Sequence, residues 1–173
     1  LAESQRSSSV LILNSYHPGF SWSDEEEAGV VERLRDRLPA IDIQIEYLDA
    51  KRYPEKRNLA RMKNFLIDKY KGQTIDLIIA LDDAALDMLS KYHTALFPDI
   101  PVVFAGIASF EKYAARGRQR ITGVLERQNI RATLDTALKL HQGTKEVLAI
   151  SDMTASGISA RRQMETMMPV YEG

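Results

Sequence analysis

Short apolar runs alternate along this chain with longer segments that have the apolar spacing of helices. Residues 10–13, 77–81 and 100–104 are apolar throughout, which suits strands that are buried on both faces of a parallel sheet. Residues Val30, Val31, Leu34 and Leu38 form the apolar face of a helix after the first of these runs. The alternation predicts an α/β fold in which a parallel sheet with right-handed crossovers carries helices on both faces.

Two further strands complete the predicted sheet. Ile41, Ile43, Ile45 and Tyr47 alternate with polar residues, which predicts a strand near the sheet edge. Residues 121–124 give the fifth strand. The strands around Ile12, Ile79 and Val103 are expected to be adjacent, parallel and central, because their segments are apolar on both faces.

Two helix starts carry capping signals. Ser23 and Glu26 have the spacing of a capping box, in which each side chain bonds the backbone N–H of the other residue. Asn129 stands before the apolar face that begins at Ile130, and asparagine is a favoured N-cap. We therefore expect one helix to begin near Ser23 and another to follow Asn129.

The strand and helix pattern restarts after the fifth strand. A strand is expected at residues 147–150 and a helix at 158–168. We thus divide the chain into a polar lead at 1–9, a first α/β lobe at 10–124 and the start of a second, incomplete α/β lobe at 125–173. Because the chain begins at Leu1, we expect a processed or excised piece. Such a partial lobe would leave four apolar residues poorly covered, or covered by a second copy of the chain in a homodimer: Ala149, Ile150, Ile158 and Met164.

Composition excludes several functions. The formal net charge of −1 argues against nucleic-acid binding, which needs a basic surplus on one face. The absence of cysteine excludes disulfides and cysteine-based metal sites or nucleophiles. No stretch of the sequence has the length and apolar character of a membrane span.

Polar and aromatic residues follow the predicted strands at their carboxyl ends, where open parallel sheets bind ligands. Flat rings beside hydrogen-bonding groups suit a small organic ligand, and Asp82 and Asp83 favour one that carries an amine. One of these aspartates could instead cap the helix that follows, and the aromatic rings could pack on a neighbouring helix. The candidate ligand-binding residues are Asn14, Ser15, Tyr16, His17, Trp22, Asp82, Asp83, Gly106, Asp152 and Thr154.

Catalytic, metal and cofactor sites lack support in the sequence. Ser15, His17 and Asp82 could be written as a triad, but there is no Gly-x-Ser-x-Gly elbow. Three scattered histidines make no zinc pattern, and no glycine-rich phosphate-binding motif follows the first strand. A phospho-accepting receiver domain would need an acidic pair after that strand, where Asn14 and Ser15 stand. We therefore expect no cofactor, no metal and no catalysis in this region.

Four segments together resemble a known family. They are Leu-Asn-Ser-Tyr-His-Pro-Gly at 13–19, Ile-Ile-Ala-Leu-Asp-Asp at 78–83, Leu-Phe-Pro-Asp-Ile-Pro-Val-Val-Phe at 96–104 and Ile-Thr-Gly-Val at 121–124. Their order and spacing are similar to those of the extracytoplasmic sensor domains of bacterial histidine kinases that resemble ABC-transporter substrate-binding proteins. The segment at 121–124, followed by a helix and Lys-Glu-Val-Leu-Ala-Ile at 145–150, looks like that family's passage from first to second lobe.

The resemblance implies a type 1 periplasmic-binding fold, in which two α/β lobes close over a ligand at the strand ends. The function expected from it is a non-catalytic, small-molecule-binding sensor domain on the periplasmic side of a cytoplasmic-membrane protein. The parent chain would then carry a membrane span and a histidine kinase module. The alternative is a solute-binding protein that serves an ABC importer.

Overall fold

A five-stranded parallel sheet forms the centre of the protein. The structure, a computed structural model, describes residues 7–54, 56–107, 110, 113, 120–126, 129–153 and 155–171. The strands, in chain order, are β1 (Ser9–Asn14), β2 (Asp42–Tyr47), β3 (Leu77–Leu81), β4 (Val102–Ile107) and β5 (Ile121–Leu125). They lie side by side in the order β2-β1-β3-β4-β5, and every neighbouring pair is parallel. The predicted α/β class is confirmed.

The register of the sheet follows the apolar pattern. Ile12 pairs with Ile79, and Ile79 pairs with Val103, so the three predicted central strands are adjacent and parallel. The alternating strand β2 lies at one edge of the sheet, as its half-polar sequence predicted. Strands that are apolar on both faces occupy the centre because only there does each face have a helix to cover it.

Five helices surround or follow the sheet in the described part of the chain. They are α1 (Ser21–Arg37), α2 (Lys56–Tyr70), α3 (Asp82–Leu96), α4 (Ile130–Leu140) and α5 (Ala155–Met167), with a short 3-10 turn at Met168–Val170. None of the described helices has the length and apolar character needed to cross a bilayer.

Each face of the sheet has its own apolar core. One core joins alternate strand residues such as Leu11, Ile78 and Phe104 to side chains of α2 and α3. The other joins Val10, Ile12, Ile79 and Leu81 to Val30, Val31 and Leu34 of α1. The two-residue repeat of a strand sends successive side chains to opposite faces. The sheet therefore carries helices on both faces.

Two predicted features are wrong. Residues 147–150 form no strand and are exposed, with Ile150 86% accessible. A strand needs a neighbour to satisfy its backbone groups, and the pairing in the sheet ends at β5. Ser23 is not a cap either: it lies inside α1, and its hydroxyl donates to the carbonyl of Phe20 (3.3 Å).

Other expectations for the later part of the chain can be compared with the structure. Asn129 does cap α4, since its side-chain oxygen accepts from the N–H of Ala132 (3.0 Å). Ala149 is exposed like Ile150, whereas Ile158 and Met164 are half-buried. The sequence between β4 and β5 predicts only a short helix, around residues 110–115, and this segment lies mostly outside the described residues.

Candidate functional site

The strand order creates a crevice at the carboxyl end of the sheet. The chain passes from β1 to β2 on one side and then crosses to β3 on the other side of β1. Loops that leave β1 and β3 therefore diverge, and ligands of open α/β sheets bind at such a switch point. Asn14 pairs with Leu81, and Leu81 pairs with Ala105, so three strands end in one row. This row brings Asp82 and Gly106 to the same edge of the sheet.

The backbone is left-handed at both of these residues. Asp82 has a φ of 65° and Gly106 a φ of 71°. Glycine adopts this conformation freely, whereas for aspartate it is uncommon and carries a cost. At Asp82 the conformation occurs in the first residue of α3, directly after β3. The fold therefore holds the Asp82 side chain in a place that a helical backbone would not give it.

Two carboxyl groups meet over Gly106. A methyl group at this glycine would lie 3.0 Å from Asp82 Oδ1, and 3.1 Å and 3.2 Å from the two carboxylate oxygens of Glu26. Asp82 is only 3% accessible. Asp82 Oδ2 and Glu26 Oε2 are both buried without a hydrogen-bond partner among the described residues. Unpartnered buried oxygens are rare in folded proteins because they lose their hydration without compensation.

Another buried carboxylate in the same protein shows the usual arrangement. Glu46 on β2 is buried, accepts a hydrogen bond from the Tyr70 hydroxyl (2.8 Å) and pairs with the Lys69 ammonium. That carboxylate has both a donor and a counter-charge, as a buried charge requires. The contrast with Glu26 and Asp82 indicates that these two groups are not arranged for stability.

Burial shifts the ionisation of both groups. Burial raises the pKa of Asp82 to about 8, and the neighbouring carboxylates of Glu26, Asp83 and Glu126 add to the rise, while Lys51 opposes it. Burial, and then the charge of Glu126, raises the pKa of Glu26 to about 7. Asp82 is still protonated when Glu26 ionises, so it repels Glu26 little. Near neutral pH, Asp82 is therefore mostly protonated and Glu26 is protonated in part of the molecules.

A cleft of about 450 Å³ opens above this pair. Its lining includes Ala105, Gly106 and three acidic residues, Glu25, Glu26 and Glu126. Trp22, which is 58% accessible, lines it together with Val124 and Leu125. Asp82 does not line the cleft, but its Oδ1 lies close to Gly106, which does. The cleft therefore combines acidic groups with exposed apolar surface, as small-molecule sites do.

The polar groups of Asn14 and Ser15 are used within the fold. Asn14 is fully buried; its amide donates to Glu27 (2.9 Å) and its carbonyl oxygen accepts from the N–H of Tyr16 (2.9 Å). The Ser15 hydroxyl donates to the carbonyl of Leu81 (2.7 Å) and accepts from the N–H of Ala85 (2.8 Å). These bonds fix the β1 loop against β3 and α3.

The aromatic residues after β1 surround a cation of the protein itself. The Lys51 ammonium lies 5.1 Å from the ring centre of Tyr16 and 4.8 Å from that of Phe20, within the range of a cation–π contact. The same ammonium pairs with Asp152 (3.0 Å). Of the expected ligand-binding residues, Tyr16 and Asp152 therefore meet at Lys51.

The remaining expected residues take separate positions. His17 is half-buried, and its Nδ1 lies 2.9 Å from the carbonyl of Pro18. Asp83 is buried next to Asp82, whose pKa it helps to raise. Thr154 lies outside the described residues. The structure thus places Trp22 and Gly106 in the lining of the cleft, Asp82 next to it, and Asn14 and Ser15 in the supporting loops.

Glu26 and Glu126 were missed by the sequence reasoning. Glu26 follows Trp22 by four residues, so the two share one face of α1, and this spacing could have identified it. Glu126 directly follows β5, which makes it a strand-end residue like Asp82. The strand-end rule, applied to the fifth strand, could have found it.

A larger groove of about 880 Å³ lies between α4, α5 and residues 147–151. Its lining is mainly apolar and includes Ile130, Leu134, Ile150 and Met164. The buried, unpartnered carboxyl oxygens lie at the smaller cleft instead. We take the smaller cleft as the candidate site because ligand recognition needs such placed polar groups.

The Ser15 hydroxyl should contribute measurably to stability. Replacing Ser15 with alanine leaves the buried N–H of Ala85 without its acceptor, which should lower the free energy of unfolding by about 1–3 kcal/mol. The exposed Ser7→Ala serves as the control and should stay within about 0.5 kcal/mol of the wild type. Urea denaturation measures both variants, and equal stabilities would contradict the assigned role.

No protein-family model and no curated protein matches this chain. The structure establishes an α/β fold with a parallel five-stranded sheet flanked by helices, which is compatible with a periplasmic-binding-like fold. Among the described residues, no group of three or more histidine, aspartate or glutamate side chains is arranged to hold a metal ion.

Proposed function

We propose that this chain is the extracytoplasmic, small-molecule-binding sensor domain of a membrane-bound histidine kinase and is not itself catalytic. The observation that carries the proposal is a pair of buried carboxyl oxygens, from Glu26 and Asp82, that find no hydrogen-bond donor in the described part of the chain and lie near the switch point of the sheet. Folding gains nothing from leaving these oxygens without donors. A ligand that donates hydrogen bonds into the cleft would satisfy them.

The arrangement around Lys51 supports a signalling role for the cleft. Lys51 belongs to the loop after β2, and Asp152 belongs to the segment before α5, so their 3.0 Å ion pair joins the two predicted lobes. Exposed ion pairs of this kind are weak. A ligand near them can therefore shift the balance between an open and a closed arrangement, provided that it binds one of the two more tightly.

Ligand binding at this cleft can be tested with one alanine substitution in each of the two cavities. A thermal-shift screen of small organic amines, alcohols and acids first identifies compounds that raise the melting temperature. Trp22→Ala should then weaken binding of such a compound by about tenfold or more, because Trp22 forms a wall of the cleft. Ile150→Ala, which removes an exposed side chain from the larger groove, should leave the affinity unchanged.

The reverse result, with Ile150→Ala impaired and Trp22→Ala normal, would move the site to the larger groove and contradict the proposal. The signalling role has its own test. The reading frame of the parent chain should continue into a membrane span and a kinase module whose autophosphorylation changes when the compound is added. A neighbouring permease gene without a kinase module would favour the importer alternative.

A further inference from the structure

We infer that the cleft recognises a small organic cation with an apolar body, and that this cation takes the place of a proton on the carboxyl groups of Glu26 and Asp82. The inference rests on the proposed function, because it names the ligand class of the same site. It follows from the charges, the unpartnered oxygens and the walls of the cleft.

The charges that face the cleft are strongly unbalanced. Glu25 and Glu26 of α1 and Glu126 after β5 line the cleft, and the buried Asp82 and Asp83 of α3 lie near this group. Lys51 is the cation that acts on Asp82, and its ammonium lies against Asp152 and the rings of Tyr16 and Phe20. The next acidic residue of α1, Glu27, accepts from Asn14 and from the Tyr47 hydroxyl (2.8 Å) instead. Among the described residues, the charges at the cleft are therefore mainly negative, which attracts cations and repels anions.

The buried oxygens call for a hydrogen-bond donor. Asp82 Oδ2 and Glu26 Oε2 lack partners among the described residues, and Asp82 is 97% buried. Both carboxyl pKa values are raised, so a proton occupies the pair near neutral pH. An ammonium group supplies several N–H donors together with a positive charge, and its charge favours the ionised carboxylates. Binding of a cation should therefore expel the proton.

The walls of the cleft distinguish an organic cation from a metal ion. Trp22, Val124 and Leu125 line one side, and all three are exposed to solvent. An indole ring binds cations over its face and packs against apolar groups. The described residues contain no cluster suited to a metal ion. A cleft of about 450 Å³ has room for a ligand of one ring and a short amine chain.

The test uses three probes that share a phenylethyl group and differ in the charge of the group attached to it. They are 2-phenylethylammonium, the neutral 2-phenylethanol and the anionic 3-phenylpropionate, measured by calorimetric titration. The ammonium probe should bind at millimolar concentration or below, and the other two should bind at least tenfold more weakly. Its affinity should rise by roughly tenfold between about pH 6 and about pH 8, since the protons that compete with it leave over this range. The amine itself stays protonated there, as a lysine does.

Two variants and a control assign the effect to the carboxyl pair. Glu26→Gln and Asp82→Asn should each lower the affinity for 2-phenylethylammonium at about pH 8 by tenfold or more and reduce the rise with pH. Glu32→Gln, an exposed change of the same kind on α1, should leave both unchanged. Melting curves show whether each variant is folded. Titrations in buffers of different ionisation enthalpy should report proton release for the wild type and less for Asp82→Asn.

The possible failures are distinguishable. If 2-phenylethanol or 3-phenylpropionate binds best and Trp22→Ala weakens it, the cleft is a binding site but the ligand class is wrong. If the ammonium probe binds equally well to Glu26→Gln and Asp82→Asn, or does not bind at all, the inference is overturned. If no compound in the thermal-shift screen raises the melting temperature, the result counts against the proposed function itself.

Discussion

Replacing Asp82 with asparagine should stabilise the folded protein, and the gain should grow as pH rises from about 4 to about 8. Burial and the neighbouring carboxylates raise the pKa of Asp82 from 3.8 to about 8 in the folded state. The folded protein therefore holds a proton that the unfolded chain has already released, and stability falls over this range as pH rises. Asparagine has the same shape, tolerates the left-handed backbone at this position and has no charge to desolvate.

The size of the effect follows from the linkage between ionisation and folding. Each pH unit by which folding displaces a pKa corresponds to about 1.4 kcal/mol, so the gain near pH 8 should reach several kcal/mol. Thermal unfolding of both proteins across this range measures it. The exposed Asp36→Asn provides the control and should show no such growth with pH. If the stabilities of the wild type and Asp82→Asn changed with pH in the same way, Asp82 would not be held in a buried acidic environment.

Replacing Gly123 with alanine should disrupt the attachment of β5 to the sheet. Gly123 pairs with Phe104 on β4, and a methyl group at Gly123 would lie 2.1 Å from the carbonyl oxygen of Phe104 and 2.5 Å from its Cγ. The carbonyl cannot move away without breaking the ladder, and Phe104 is buried in the core with its ring stacked on Phe110. We expect a loss of about 3 kcal/mol or more, at the upper end for overpacked sites.

Two measurements check this expectation. The free energy of unfolding should fall, and the amide protons of β5 should exchange much faster than those of β1 and β3. Because Val124 and Leu125 follow Gly123 and line the cleft, ligand binding should also weaken. Thr122→Ala, an exposed change on the same strand, should leave the amide exchange of β5 nearly as in the wild type. Normal stability of Gly123→Ala would show that β5 does not lie this close to β4.

The sequence predicted which residues of the candidate site lie at strand ends, but not what their side chains contact. Asp82 and Gly106 follow buried strands directly, so the parallel sheet alone places them at one edge. Asn14 and Ser15 follow the same rule, yet their polar groups bond to Glu27, Tyr16, Leu81 and Ala85. Whether a strand-end side chain faces a ligand or supports a loop depends on these contacts, which its position in the sequence does not specify.

Glu26 is a residue of the site that the sequence assigned to a local role. The sequence assigned it to a capping box with Ser23, a local interaction at the start of a helix. In the structure α1 begins earlier, at Ser21, and its packing against β1 and β3 brings Glu26 over Gly106 instead. The spacing from Trp22 could have marked Glu26 as a residue of the same helix face. Its contact with Gly106 joins residues that are far apart in the chain, so no local pattern predicts that contact.

Patterns along the chain were sufficient to predict the class of the fold, the order of the five strands and the helices between them, and which strands lie inside the sheet. These properties depend on apolar periodicity and on burial of both strand faces, and both can be seen along the chain. The apolar run at 147–150 shows the limit, because a strand also needs a neighbour to bond. The long-range contacts of the fold place Glu26 and Glu126 in one cleft beside Asp82, and they leave one oxygen of Glu26 and one of Asp82 without a donor among the described residues. Desolvation and charge repulsion depend on distances between segments, and the fold alone sets those distances.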